Sequence, residues 1–280
     1  MGRPYGNVWT TNTNQSESHQ RRRYGANPRY EGAQTALGRR RDDWSWRGTC
    51  REPSARCTVG SRTRNPLESR TPRSTAIGER LFRPDELLTD VHFPLTGVVS
   101  IVSGMDDGSS IEVATAGNEG MVGLPVYFGV NRTRLEGFSQ VPGDVISVPA
   151  PSFRGMLERS GDLREVMGRY SYARMIHMGQ TAACNAVHSV EQRASRWLLS
   201  AQDRVQTDEF QLTQEALAQM LGVRTASISE TASGLQRMGL IRYQRGRLTI
   251  HDRLGLEGLV CECYWIVRDE YSRQLAPRAE

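Results

Sequence analysis

From Gly78 onward the chain alternates short apolar runs with turn residues. Residues 92–93 and 97–103 have the Val- and Ile-rich texture of strands. Asp106-Asp107-Gly108 is a hairpin turn signal, and residues 111–114 supply the partner strand. Gly117, Gly120, Gly123 and Gly129 punctuate a loop-rich stretch, after which residues 138–141 and 144–148 complete the strand pattern. Many short strands joined by Gly and Pro turns predict a β-barrel or jelly-roll domain over residues 78–160, ending in a short helix at 151–159.

The period then changes. Leu163, Val166, Met167, Tyr170, Ala173, Ile176 and His177 recur at three and four residues, and the pattern runs on through Ala183 and Val187. A helix of about 25 residues is nearly 40 Å long. Residues 161–188 are therefore expected to be a dimerisation helix that buries its stripe against a twin, with packing inside its own chain as the alternative. Residues 189–199 read as a further helix with Val190, Ala194, Trp197 and Leu198 on one side, and the polar residues 203–209 as a loop. The predicted class is α+β, with residues 189–280 as a C-terminal domain.

Within that domain, residues 212–241 read LTQEALAQMLGVRTASISETASGLQRMGLI. A first helix is predicted over 214–221, with Thr213 as N-cap and Glu215 at the positive end of its dipole. Leu217 and Leu221 face the core, and Ala218 is small where another helix must cross. Gly222 supplies a tight turn in which a positive φ is cheap only for glycine. A second helix starts near Thr225 and turns Ile228, Ala232 and Leu235 inward. The spacing of Ala218, Gly222 and Ile228 lets two short helices cross steeply and share one core, as in a helix-turn-helix. Ala226, Ser229, Glu230 and Ser233 face outward, short enough to reach base edges in a major groove, and Arg224 lies just ahead of them. Residues 240–250 then read as a β-hairpin wing, with Arg242, Arg245 and Arg247 on it and Arg245-Gly246 at its turn. Residues 224–253 hold six arginines against two acids, a local excess suited to phosphate. The predicted DNA-binding residues are thus Arg224, Thr225, Ala226, Ser229, Glu230, Ser233, Arg242, Arg245 and Arg247. Room is left after Ile250 for a closing helix only.

Bulk charge adds nothing to this reading. The net charge of +5 divides into 15 arginines against six acids in residues 1–78, and 21 against 25 in residues 79–280. The basic excess lies in a segment whose only aliphatic or Met side chains are Met1, Val8, Leu37, Val59, Leu67 and Ile77, too few to offset the entropy of ordering it. Residues 1–77 are expected to be disordered, a solvated tail in preference to a nucleic-acid arm. No apolar run is long enough for a membrane span and no secretory h-region is present, which with five scattered cysteines points to the cytoplasm. Cys261 and Cys263 are read as helix packing, since no second pair stands at ligand spacing, so no metal or cofactor is expected. Cys50 and Cys57 do not supply the four thiolates of an iron–sulfur cluster, and His92, His177 and His188 are separated singles. No nucleophile–base pair or phosphate-cradling loop is found, so an enzyme is not expected. A sensor or protein-interaction module with a vestigial helix-turn-helix stays open.

The phrases FPLTGVVSIV at 93–102, GNEGMVGLPVYFG at 117–129 and CECY at 261–264, in this order around a winged helix, resemble the Crp/Fnr family of transcription regulators over residues 78 to 275. The resemblance implies a cyclic-nucleotide-binding-like barrel acting as sensor domain, a dimer helix and a C-terminal DNA-binding domain. It implies a homodimer reading a near-palindromic site in double-stranded DNA, with RNA polymerase as a further partner. It puts base readers at Thr225, Ala226, Ser229 and Glu230. Two departures follow. The helix and strand that open the family's barrel have no matching pattern in residues 45–77. The nucleotide loop reads Glu119-Gly120-Met121, and the phosphate-binding arginine position falls near Glu136, so cyclic AMP is not expected to bind.

Overall fold

The computed structural model describes residues 71–276. Most of the segment expected to be disordered therefore lies outside the described residues; its last part forms a short strand, β1 (Arg73–Ser74). One antiparallel sheet joins β1, β7 (Asp144–Pro149) and β3 (Asp90–Pro94) in the order β1-β7-β3. A second joins β2 (Arg80–Phe82), β6 (Leu135–Val141), β4 (Val98–Gly104) and β5 (Ser110–Ala116) in the order β2-β6-β4-β5. Of the expected β-barrel or jelly roll, the two-sheet form is found, open sheets of three and four strands: β7 pairs on its two sides with β1 and β3, and among the described residues no ladder joins it to the second sheet to close a cylinder. The β4–β5 hairpin turns where the sequence predicts, with Gly108 at φ 82° and Met105 N–H donating to Ser109 O at 2.8 Å.

Two cores serve this part of the molecule. Val91, Phe93 and Val148 pack with Phe153 and Met156 of α1 (Ala150–Arg159), and Val99, Ile101, Ala114, Ala116 and Val122 pack with Leu81 and Phe82. Helix α2 (Gly161–Val187) starts where Ser160 Oγ accepts from Leu163 N–H at 3.2 Å. Part of the stripe expected to meet a twin is core of the same chain: Met167, Tyr170, Ala173 and His177 are buried, the first three in one cluster with Met121, Val267 and Tyr271, while Ala183 and Val187 further along it are exposed. The reason is a second helix lying along α2, namely α7 (Cys263–Leu275).

The C-terminal domain opens with α3 (Val190–Val205), begun by a reciprocal capping box between Ser189 and Gln192. It runs through 203–205, where the sequence predicts a loop, because Ala201, Gln202, Arg204 and Val205 are all buried. β8 (Glu209–Gln211) follows, a strand the polar sequence does not announce. After the wing come two helices in place of one, α6 (Arg253–Leu259) and α7, interrupted at Val260 where the backbone is extended.

Candidate nucleic-acid interface

Helix α4 (Gln214–Leu221) is capped by Thr213, whose Oγ1 accepts from Ala216 N–H at 3.1 Å. It stops at Gly222, which adopts φ 61°. Glycine is favoured there by that dihedral, and a Cβ would in addition lie 2.7 Å from Ile111 Cδ1 on β5, so the tip of that side chain would have to move. Ala218 is buried at the crossing with α5 (Thr225–Arg237), which buries Ile228, Ala232 and Leu235. These side chains join Leu217, Leu221, Trp197, Leu198 and Leu248 around one core. The structure thus brings Ala218, Gly222 and Ile228 to the turn and crossing of the two helices.

Thr225, Ala226, Glu230 and Ser233 are exposed on the outer face of α5, and Arg224 is exposed at its N-cap. Ser229 differs. It is half-buried, and its hydroxyl donates to Gln214 Oε1 at 2.5 Å, so it fixes the α4–α5 crossing.

The wing is β9 (Ile241–Gln244) paired with β10 (Arg247–Ile250), and β8 adds a third strand on the far side of β10. Arg245 and Gly246 have φ of 50° and 74°, the two positive values of a type I′ turn. Arg242, Arg245 and Arg247 line one open groove with Gln244, Thr249 and Glu209. Arg247 Nη1 lies 2.8 Å from Glu209 Oε1, an exposed pair of a kind worth about 0–1 kcal/mol. Arg242 donates to Gln244 Oε1 at 2.9 Å. Tyr243 ties the wing to the helices: its hydroxyl donates to Leu212 O and its N–H to Gln236 Oε1 of α5. Leu212 N–H donates to Gly246 O at 2.9 Å. The exposed face of α5 and the arginines of the wing are thus held by one hydrogen-bonded body.

Sequence reasoning missed a polar seam where α3 meets the strands. Glu112 on β5 accepts from Ser100 Oγ at 2.5 Å and from Trp197 Nε1 at 3.0 Å. Glu119 accepts from Arg204, with Nη2 2.8 Å from Oε1, both side chains being less than a tenth exposed. Gln219 Nε2 of α4 donates to Ser110 Oγ at 2.8 Å. The signal is faint: Glu112 alternates with apolar neighbours in a strand and reads as solvent-facing.

Comparison with known proteins agrees with this architecture. Residues 192–259 match the model of the Crp-like helix-turn-helix domain. FixK2 from Bradyrhizobium japonicum superposes with a TM-score of 0.58 at 17% identity, over 69% of this chain and 98% of that one. A CRP-family transcriptional regulator from Thermus thermophilus gives 0.56 at 18%, over 67% and 95%. The c-di-GMP-responsive global regulator CLP of Xanthomonas campestris gives 0.53 at 16%, over 66% and 95%. No curated protein matches the chain in sequence. The chain carries a Crp-like helix-turn-helix domain in the fold of Crp/Fnr regulators, and the resemblance found in the sequence holds. Among the described residues no helix is long and apolar enough to cross a membrane.

Proposed function

We propose that this protein is a dimeric, sequence-specific DNA-binding transcription regulator, non-enzymatic and working in the cytoplasm, with DNA and then RNA polymerase as its partners. The observation that carries the reading is the exposed face of α5 beside an arginine-lined wing on the same hydrogen-bonded body. The start of α5 enters the major groove, where Thr225, Ala226, Glu230 and Ser233 meet base edges. Arg224, Arg242, Arg245 and Arg247 neutralise phosphates, with Glu209 giving up Arg247 on docking. Ser229 holds the helices in register through Gln214.

A second face of α2 supports the dimer. Tyr172, Met175, Gly179, Ala182, Ala183, Ala186 and Val187 are exposed and fall at three- and four-residue spacing. Their small members allow two α2 helices to approach closely. A twofold axis along them sets two recognition helices about 34 Å apart, to read a near-palindromic operator. The sensor part does not take cyclic AMP in this reading. Glu119, in the loop that resembles the nucleotide loop, is already bound by Arg204, and Glu136 at the phosphate position pairs with Arg80.

Binding to genomic fragments, followed by fluorescence anisotropy on the selected site, tests the docking. Glu230→Ala changes the preferred sequence, at about 1–3 kcal/mol per base contact. Arg245→Ala weakens all sequences alike and lowers the salt slope by about one. Wild-type binding by both variants to operator and to random DNA would overturn the model.

A further inference from the structure

Four ligand-type side chains from two distant stretches meet where α2 ends. Cys184 is on its last turn and His188 caps it, four residues apart and so on one helical face. Cys261 lies in the break between α6 and α7, and Cys263 opens α7. The three Sγ atoms and an imidazole nitrogen of His188 all lie within 4.8 Å of one another. Cys184 Sγ is 3.6 Å from Cys261 Sγ, and Cys263 Sγ is 3.4 Å from His188 Nδ1. All three cysteines are free and buried.

A tetrahedral zinc ion, with Zn–S near 2.3 Å and Zn–N near 2.0–2.1 Å, sets S···S edges of about 3.8 Å and S···N edges of about 3.6 Å. The two edges measured here match these to within a few tenths of an ångström. Simple thiol packing does not account for the surroundings. The other ring nitrogen of His188, Nε2, lies 3.3 Å from Glu262 Oε2, the carboxylate–histidine arrangement that orients metal-bound imidazoles. Gln180 Nε2 donates to Cys263 Sγ at 3.1 Å. Arg193 and Arg196 are buried nearby, their charges acting on Cys184, and so offset the surplus negative charge of three thiolates around a divalent cation. A disulfide would use two of the thiols and leave the third and the imidazole unexplained. A polynuclear iron–sulfur cluster distributes its ligands over several irons, so they do not converge on one point.

We propose that Cys184, His188, Cys261 and Cys263 bind one zinc ion. Four protein ligands leave no open position, so the ion is structural and not catalytic. It fastens the end of α2 to the α6–α7 break, across the joint at His188 and Ser189 where α2 passes into α3. The ion thereby fixes the angle at which the long helix carries the helix-turn-helix domain.

Elemental analysis of the full chain, purified under reducing conditions without chelator, tests this. About one zinc per chain is expected, and exchange with cobalt gives the visible absorption of a tetrahedral thiolate-bound ion. Cys184→Ser and Cys263→Ser lose the metal, while Glu262→Gln keeps it with affinity lowered about 10- to 100-fold. Absence of both zinc and the cobalt spectrum from the wild-type chain overturns the site, as does full zinc content in both serine variants. The wild-type spectrum decides even if a serine variant does not fold. Both readouts are taken without DNA, so their failure leaves the DNA-binding reading standing.

Discussion

Glu112 and Glu119 lie seven positions apart, are both buried, and both meet α3, yet they carry opposite electrostatics. Burial pushes the Glu112 carboxyl up to about 7, against the lowering effect of the Ser100 hydrogen bond, the Arg196 charge and Trp197. Burial raises Glu119 too, but the Arg204 charge and hydrogen bonds outweigh it, and the carboxyl ends below its ordinary range. Arg204 Nε reaches both oxygens of Glu119, at 2.9 and 3.1 Å. Desolvation is common to both sites, and the difference lies in whether the nearest donors carry a full charge. One contact therefore holds the seam at neutral pH, while the other weakens there.

The hardest way to break this contrast is Arg204→Ala, which strands the Glu119 carboxylate. It is expected to cost about 3–5 kcal/mol in urea unfolding at pH 7, and a loss below about 1 kcal/mol would remove the ionic account. Glu112→Gln gives a smaller effect with a defined pH sign. The folded value of Glu112 is raised above 4.5, so its contribution is fully present below about pH 4.5 and is lost as pH rises through about 7. Glutamine copies the neutral acid at every pH. Relative to wild type, the variant should gain about 3 kcal/mol between pH 4.5 and pH 8, and a pH-independent difference would contradict the raised value. Glu119 has the opposite sign: its contribution is present above 4.5 and is lost as pH falls through its depressed value. Ser100→Ala should have the smallest effect, a loss of about 1 kcal/mol in thermal or urea unfolding. That loss should be larger at pH 8 than at pH 5, since the hydroxyl favours the ionised form. Equal losses at the two pH values would show that Ser100 only packs.

The helix-turn-helix was legible because its determinants are local: a Thr213 cap, a turn at Gly222, and Ile228, Ala232 and Leu235 at helical spacing. The wing was legible for the same reason, through Arg245-Gly246. What stayed hidden depends on residues far apart in sequence. Cys184 and Cys261 are 77 positions apart, so a search for ligand pairs at short spacing sees only Cys261 and Cys263. Arg204 and Glu119 are 85 apart, and each alone reads as a solvated charge. The stripe of α2 had the right period, but Met167, Tyr170 and Ala173 are covered by their own chain, because periodicity says that a face is covered and not by what. The contact of Ser229 with Gln214 was likewise hidden, because Gln214 belongs to the other helix.

The left-handed dihedral of Gly222, with Ile111 packed over it, shapes how this chain can vary. A smaller side chain at Ile111 would relieve the crowding but leave the left-handed dihedral, and no change at position 111 alters that angle. The strand hairpin and the helix-turn-helix turn are therefore coupled in one direction only. Position 111 can drift while Gly222 stays, but a side chain at 222 keeps the cost of the left-handed dihedral whatever stands at 111, as Gln206 bears it at the equivalent end of α3.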